Sequence, residues 1–120
     1  DVFPTFTAAA GAPLPKDRTY DGRDILPMAT GKAKSPHDAL FWASGRQLAV
    51  RRGNLKWIRN PIEADGTPRG QKPLGGEDEI YLADLSMDPG EKTNLRRQHA
   101  QVAAEMEQLA ANWIAAVKNA

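Results

Sequence analysis

The sequence predicts an α+β chain in which a small antiparallel sheet of about four strands packs against a long C-terminal helix. Three observations predict it. QLAVRR (47–52) and LKWIR (55–59) flank Gly53-Asn54, a two-residue loop of the kind that closes tight hairpins. ALFWA (39–43) and EIYLADL (79–85) are further short runs with strand-like apolar patterning, bounded by turn residues. Finally, Val102, Met106, Leu109, Trp113 and Val117 recur at helical spacing, one stripe along an amphipathic rod.

From the beginning, residues 1–12 read as a short helix, with Asp1 able to cap it, Pro4 tolerable in the first turn and Gly11 able to end it. Residues 13–37 carry four prolines and two glycines, so an irregular connection is expected, with one helical turn around ILPMAT. Residues 1–37 are therefore read as a linking segment and 38–120 as a sheet-plus-helix subdomain. The opening DVFPTFTAAAG, with Val2, Phe3 and Phe6 apolar and no initiator Met, reads as a structured segment already under way. A piece of a longer protein is expected.

The hairpin fixes its own register. A two-residue loop sets Arg52 opposite Leu55, Val50 opposite Trp57 and Leu48 opposite Arg59. Leu48, Val50, Leu55 and Trp57 then share an apolar face, which the helix is expected to cover, while Ala49, Arg51, Lys56 and Ile58 share the other. Residues 60–76 are rich in Pro and Gly and predict a long surface loop. After the next strand, Asp88-Pro89-Gly90 turns the chain and Asn94 is placed to cap the closing helix, which is expected from about Gln98 to Lys118.

Sixteen basic and fifteen acidic residues leave a net charge of +1, which argues against a dedicated nucleic-acid or membrane-surface protein. No apolar run reaches the ~20 residues a membrane helix needs. The chain has no cysteine, which removes disulfides, thiolate metal ligands and a cysteine nucleophile. Its two histidines, His37 and His99, lack metal-site spacing. His37 in SPHDALFW reads as a locally bonded loop residue, with substrate contact as the alternative; Ser35 and Asp38 beside it do not make a triad by adjacency. The acids Glu77, Asp78, Glu79, Asp84, Asp88 and Glu91 do not follow a calcium-loop pattern, and Asp78 or Glu79 is expected to neutralise Arg51 and Lys56. Arg46, Arg51, Arg52, Lys56 and Arg59 make the hairpin basic. It reads as a solvated or partner-facing surface, the competing reading being a polyanion- or nucleic-acid-binding module. The residues alone define no catalytic group and no metal site.

Several ordered phrases together resemble the C-terminal region of the sulfatases, the arylsulfatase-type branch of the alkaline phosphatase superfamily. They are DVFPTFTAAAGAPLP (1–15), DGRDILPMATGK (21–32), Pro36-His37 with Leu40-Phe41-Trp42, AVRRGNLKWIRN (49–60) and YLADLSMDPGEKTNL (81–95). The chain departs from the usual spelling at Ala83, which adds a residue before Asp84, and at Ala100, where a proline often follows the histidine. The resemblance implies a parent enzyme that hydrolyses sulfate esters with a formylglycine, made within a Cys/Ser-x-Pro-x-Arg motif, and a bound calcium. Neither group can be placed on this chain, which lacks the motif, so it is expected to be inactive alone. The implied partners are the N-terminal catalytic domain of the same protein and, for the parent, a sulfate-ester substrate, with no nucleic acid and no membrane. His37 and Trp42 become candidates for a substrate rim. The resemblance favours a periplasmic or secreted setting, with the cytoplasm open, and leaves phosphonate or phosphodiester hydrolysis as a variant chemistry.

Overall fold

The computed structural model describes residues 1–61 and 76–118. Most of the loop expected at 60–76 lies outside the described residues. The chain forms two compact units, Asp1–Asp38 and Ala39–Ala120.

In the first unit, helix α1 spans Val2–Ala9 and a single turn, α2, spans Leu26–Ala29 around Pro27. Gly11, at φ +66°, supplies the left-handed residue just past the end of α1. Asp1 stands at the N-cap position but makes no side-chain cap bond. Its carboxylate instead accepts the Arg23 backbone N–H at 2.8 Å, and Thr5 Oγ1 accepts the Ile25 N–H at 3.0 Å. The returning chain passes so close to α1 that a Cβ on Gly22 would lie 2.7 Å from the Asp1 nitrogen, so only glycine fits there. Val2 and Phe6 are exposed, as is Phe3, whose ring lies 5.5 Å from that of Tyr20.

The second unit is a four-stranded antiparallel meander in the order β1 (Leu40–Ser44), β2 (Gln47–Arg52), β3 (Leu55–Arg59) and β4 (Ile80–Asp84), followed by helix α3 (Ala100–Lys118). The β2–β3 register is the one the sequence predicts, with Arg52 facing Leu55, Val50 facing Trp57 and Leu48 facing Arg59. Gly45 and Gly53 open the two tight turns at φ +58° and +60°, the left-handed geometry that matches strand twist. Ala83 introduces no bulge; it pairs with Lys56 in regular register and is fully buried.

The core lies between the sheet and α3. Leu48, Val50, Trp57 and Leu82 meet Ala103, Met106 and Ala110, with Phe41, Trp113 and Ile114 packed around them. Phe41 and Trp113 stack with centroids 5.3 Å apart and planes within 8°. The helix face differs from the expected stripe. Its centre line runs through Ala103, Met106 and Ala110, Leu109 is only half-buried, and Val117 is 50% exposed. Small alanines let the helix axis settle close to the sheet, and the larger residues flank that contact.

Candidate functional site

The stretch Tyr81–Leu95 carries the densest polar chemistry, and nearly all of it serves the backbone. After β4, Asp84 Oδ1 accepts both the Ser86 N–H (2.9 Å) and its hydroxyl (2.6 Å). These bonds, the hydroxyl's above all, hold the Asp84 carboxyl below its ordinary pKa of 3.8. Asp88 Oδ2 accepts the N–H groups of Lys92 and Thr93, each at 2.7 Å. The Tyr81 hydroxyl donates to the Glu91 carbonyl at 2.9 Å. Its pKa is raised, first by burial and then by the nearby carboxylates Asp88, Asp78 and Glu91.

Asn94 closes the arrangement. Its Oδ1 accepts the N–H of Leu82 (3.1 Å) and of Arg96 (3.0 Å), and its Nδ2 donates to the Ile80 carbonyl (3.1 Å) and to Asp78 Oδ1 (2.9 Å). The Leu95 N–H then bonds the Leu82 carbonyl at 2.8 Å. One amide side chain thus imitates a neighbouring strand along the outer edge of β4 and also caps the turn that leads into α3. The expected cap on the closing helix is not made by Asn94, because α3 starts only at Ala100 and Asn94 accepts instead from Arg96 in the turn before it.

The basic hairpin is mostly neutralised. Lys56 pairs with Glu91 at 2.5 Å, Arg59 with Glu107 at 2.7 Å and Arg52 with Glu105 at 3.3 Å. Arg51 Nε donates to the carbonyl of Gly53 at 3.0 Å. The expected partners Asp78 and Glu79 do not serve here: Asp78 bonds Asn94, and Glu79 ends the 3-10 turn Gly76–Glu79, its carbonyl accepting the Asn60 N–H. Glu91 is the acid that reaches Lys56, from a backbone held at φ +53°.

The two rim candidates sit in different units. His37, in the first, is half-buried with Nε2 2.7 Å from Asp1 Oδ1, and its backbone N–H is bonded to Ser35 Oγ. Trp42, in the second, is 49% exposed on the sheet face opposite α3. It borders a shallow groove of about 500 Å³ that also contains Gln47, Arg51, Ile58 and Glu91. His99 lies in the turn before α3 and gives its carbonyl to the Ala103 N–H.

Among the described residues no three His, Cys, Asp or Glu side chains come together as a metal site. Among the described residues, Asp84 accepts the N–H and hydroxyl of Ser86 and Asp88 accepts the N–H groups of Lys92 and Thr93, while SPHDA (35–39) is not the Cys/Ser-x-Pro-x-Arg motif.

The geometry therefore defines a structural class, a sheet-and-helix unit whose most distinctive phrase is internal bracing. No family model matches the chain. It is 36% identical to bovine (Bos taurus) arylsulfatase A over 118 residues, covering 88% of this chain and 23% of that protein. It is 32% identical to the N-acetylgalactosamine-6-O-sulfatase of Bacteroides thetaiotaomicron over 111 residues, covering 91% and 22%. A solved structure from work on glycosaminoglycan metabolism by the same bacterium superposes on the whole chain with a TM-score of 0.71 and 30% identity, over 24% of its own length. The chain belongs to the sulfatases, and it spans about a quarter of the length of the relatives it matches.

Proposed function

We propose that this chain is the C-terminal subdomain of a larger sulfuric ester hydrolase, in which it buttresses the catalytic core and is inactive alone. One observation carries the reading: a match to arylsulfatase A over 118 residues that occupies only 23% of that enzyme. The bracing of residues 81–95 by Asp84, Asp88 and Asn94 supports it, because side chains bonded to backbone groups are committed to holding shape. In the parent, formylglycine would supply the nucleophile for sulfur and calcium the charge stabilisation, both held by residues outside this chain. Residues 1–37 serve as the link between that core and the sheet-and-helix unit. The relatives' names, sulfatases throughout, favour sulfate esters over phosphonates or phosphodiesters. Pairing of Lys56, Arg59 and Arg52 with glutamates counts against the polyanion-binding alternative.

The finer part of the proposal assigns His37 and Trp42 to the substrate rim. A rim contact at His37 raises KM for a sulfate ester on His37→Ala, with the melting temperature unchanged. The decisive test of the main reading is the reading frame preceding Asp1, which is expected to encode a Cys/Ser-x-Pro-x-Arg stretch within a much longer domain. A frame without it, or sulfate hydrolysis by the 120-residue chain alone, overturns the assignment.

A further inference from the structure

Stretches that lie far apart in sequence meet at one carboxylate in the first unit. Asp1 Oδ1 sits 2.7 Å from His37 Nε2 and also accepts the Arg23 backbone N–H at 2.8 Å. Asp1 is itself held in place. Its carbonyl accepts the Thr5 N–H at 3.0 Å and the Thr5 hydroxyl at 2.8 Å. The same hydroxyl oxygen accepts the Ile25 N–H, and Gly22 leaves no room for a side chain beside the Asp1 backbone.

His37 is fixed through its own backbone as well. Pro36 restricts the chain before it. The Ser35 hydroxyl donates to the His37 carbonyl and its oxygen accepts the His37 N–H, both at 3.2 Å. The imidazole is 18% exposed and the carboxylate 29%. A carboxylate offers only acceptors, so the shared hydrogen belongs to Nε2. Nδ1 is then the ring nitrogen left to meet anything else, and among the described residues no group bonds it. A braced carboxylate on one ring nitrogen is the arrangement that sets an imidazole's tautomer and aim.

We propose that Asp1 is the positioning residue of His37: its carboxylate orients the imidazole so that Nδ1 is the nitrogen presented to a sulfate ester. This rests on the reading of His37 as a rim residue of a sulfatase. Asp1 does not touch the ester and acts only through His37.

The test is a double-mutant cycle in the full-length protein with nitrophenyl sulfate as substrate. Asp1→Ala is expected to raise KM about three- to tenfold with kcat little changed, because an untethered ring weakens binding and leaves the chemistry alone. His37→Ala is expected to raise KM at least as much, and the double variant no further than His37→Ala. Asp1→Asn keeps an acceptor oxygen and is expected to hold KM within about twofold of the unaltered protein. Asp1→Ala also loses the Arg23 bond and melts lower, so melting temperature does not decide the matter. A second measurement needs no variant. The 120-residue chain has two histidines, so the His37 ring N–H is assignable by NMR with the exposed His99 as reference. Its Nε2–H is expected to exchange with solvent more slowly than that of His99. Equal exchange overturns the inference. So does a KM unmoved in either single variant, or an Asp1→Ala effect that adds in full to that of His37→Ala. Each of these, with sulfate hydrolysis intact, sinks the inference alone. No hydrolysis by the unaltered full-length protein sinks the sulfatase reading, and the inference with it.

Discussion

Asn94 uses all of its amide to hold one corner together, accepting from Leu82 and Arg96 and donating to Ile80 and Asp78. Replacing it with alanine strands the edge groups of β4, so Asn94→Ala is expected to destabilise the chain by about 1–3 kcal/mol in urea unfolding. Asp84 offers a second test. Its folded pKa is depressed, so its contribution to stability is present above the ordinary value of 3.8 and is lost as pH falls through the lower folded one. The Ser86 hydroxyl is the main cause, and Ser86→Ala should move the carboxyl titration of Asp84 upward toward 3.8 by NMR. An unmoved midpoint would remove the hydroxyl from the account. These roles were only partly legible in the sequence. Asn94 ahead of a helix announces a cap, but its bonds to Leu82 and Ile80 depend on a fold-back of the chain that no local pattern encodes. The Glu91 partner of Lys56 was hidden for the same reason, since it reaches the pair through a left-handed residue 35 positions away.

The hairpin and the helix show where element-level reading succeeds and where it drifts. Gly53-Asn54 leaves β2 and β3 one register, and period-two alternation then assigns every side chain a face. A helix stripe carries no such constraint. Counting large apolar residues drew the line through Leu109 and Val117, whereas the buried line runs through Ala103, Met106 and Ala110. Alanine reads as neutral in a sequence, yet it permits the close approach on which the packing depends. Met106→Ala, at a fully buried position, is therefore expected to cost about 2–5 kcal/mol, and Val117→Ala less than about 0.5 kcal/mol. Thermal or chemical unfolding of the two variants checks the order, and equal losses would restore the stripe of large residues.

At the scale of the whole chain, composition excluded more than it identified, and the family was legible only from several phrases in order. The candidates His37 and Trp42 are the least legible part, because they fall in different units of the chain and no local pattern ties either to a ligand. With Lys56, Arg59 and Arg52 engaged by glutamates, titration with single-stranded nucleic acid is expected to show only weak association that vanishes at physiological salt. Tight binding there would reopen the module reading. The meander order has a further consequence, for timing. Every strand neighbours the one synthesised just before it, and the β1–β2 and β2–β3 turns join residues already close along the chain, so loop-closure entropy is small there, whereas β4 at Ile80–Asp84 pairs with β3 only after the long connection that follows Arg59. Such a unit is suited to assemble rapidly during translation, each strand docking as it leaves the ribosome. Its lid is the last piece to arrive, which makes completion of Met106 and Trp113 packing the late event that a pulse-labelling experiment would detect.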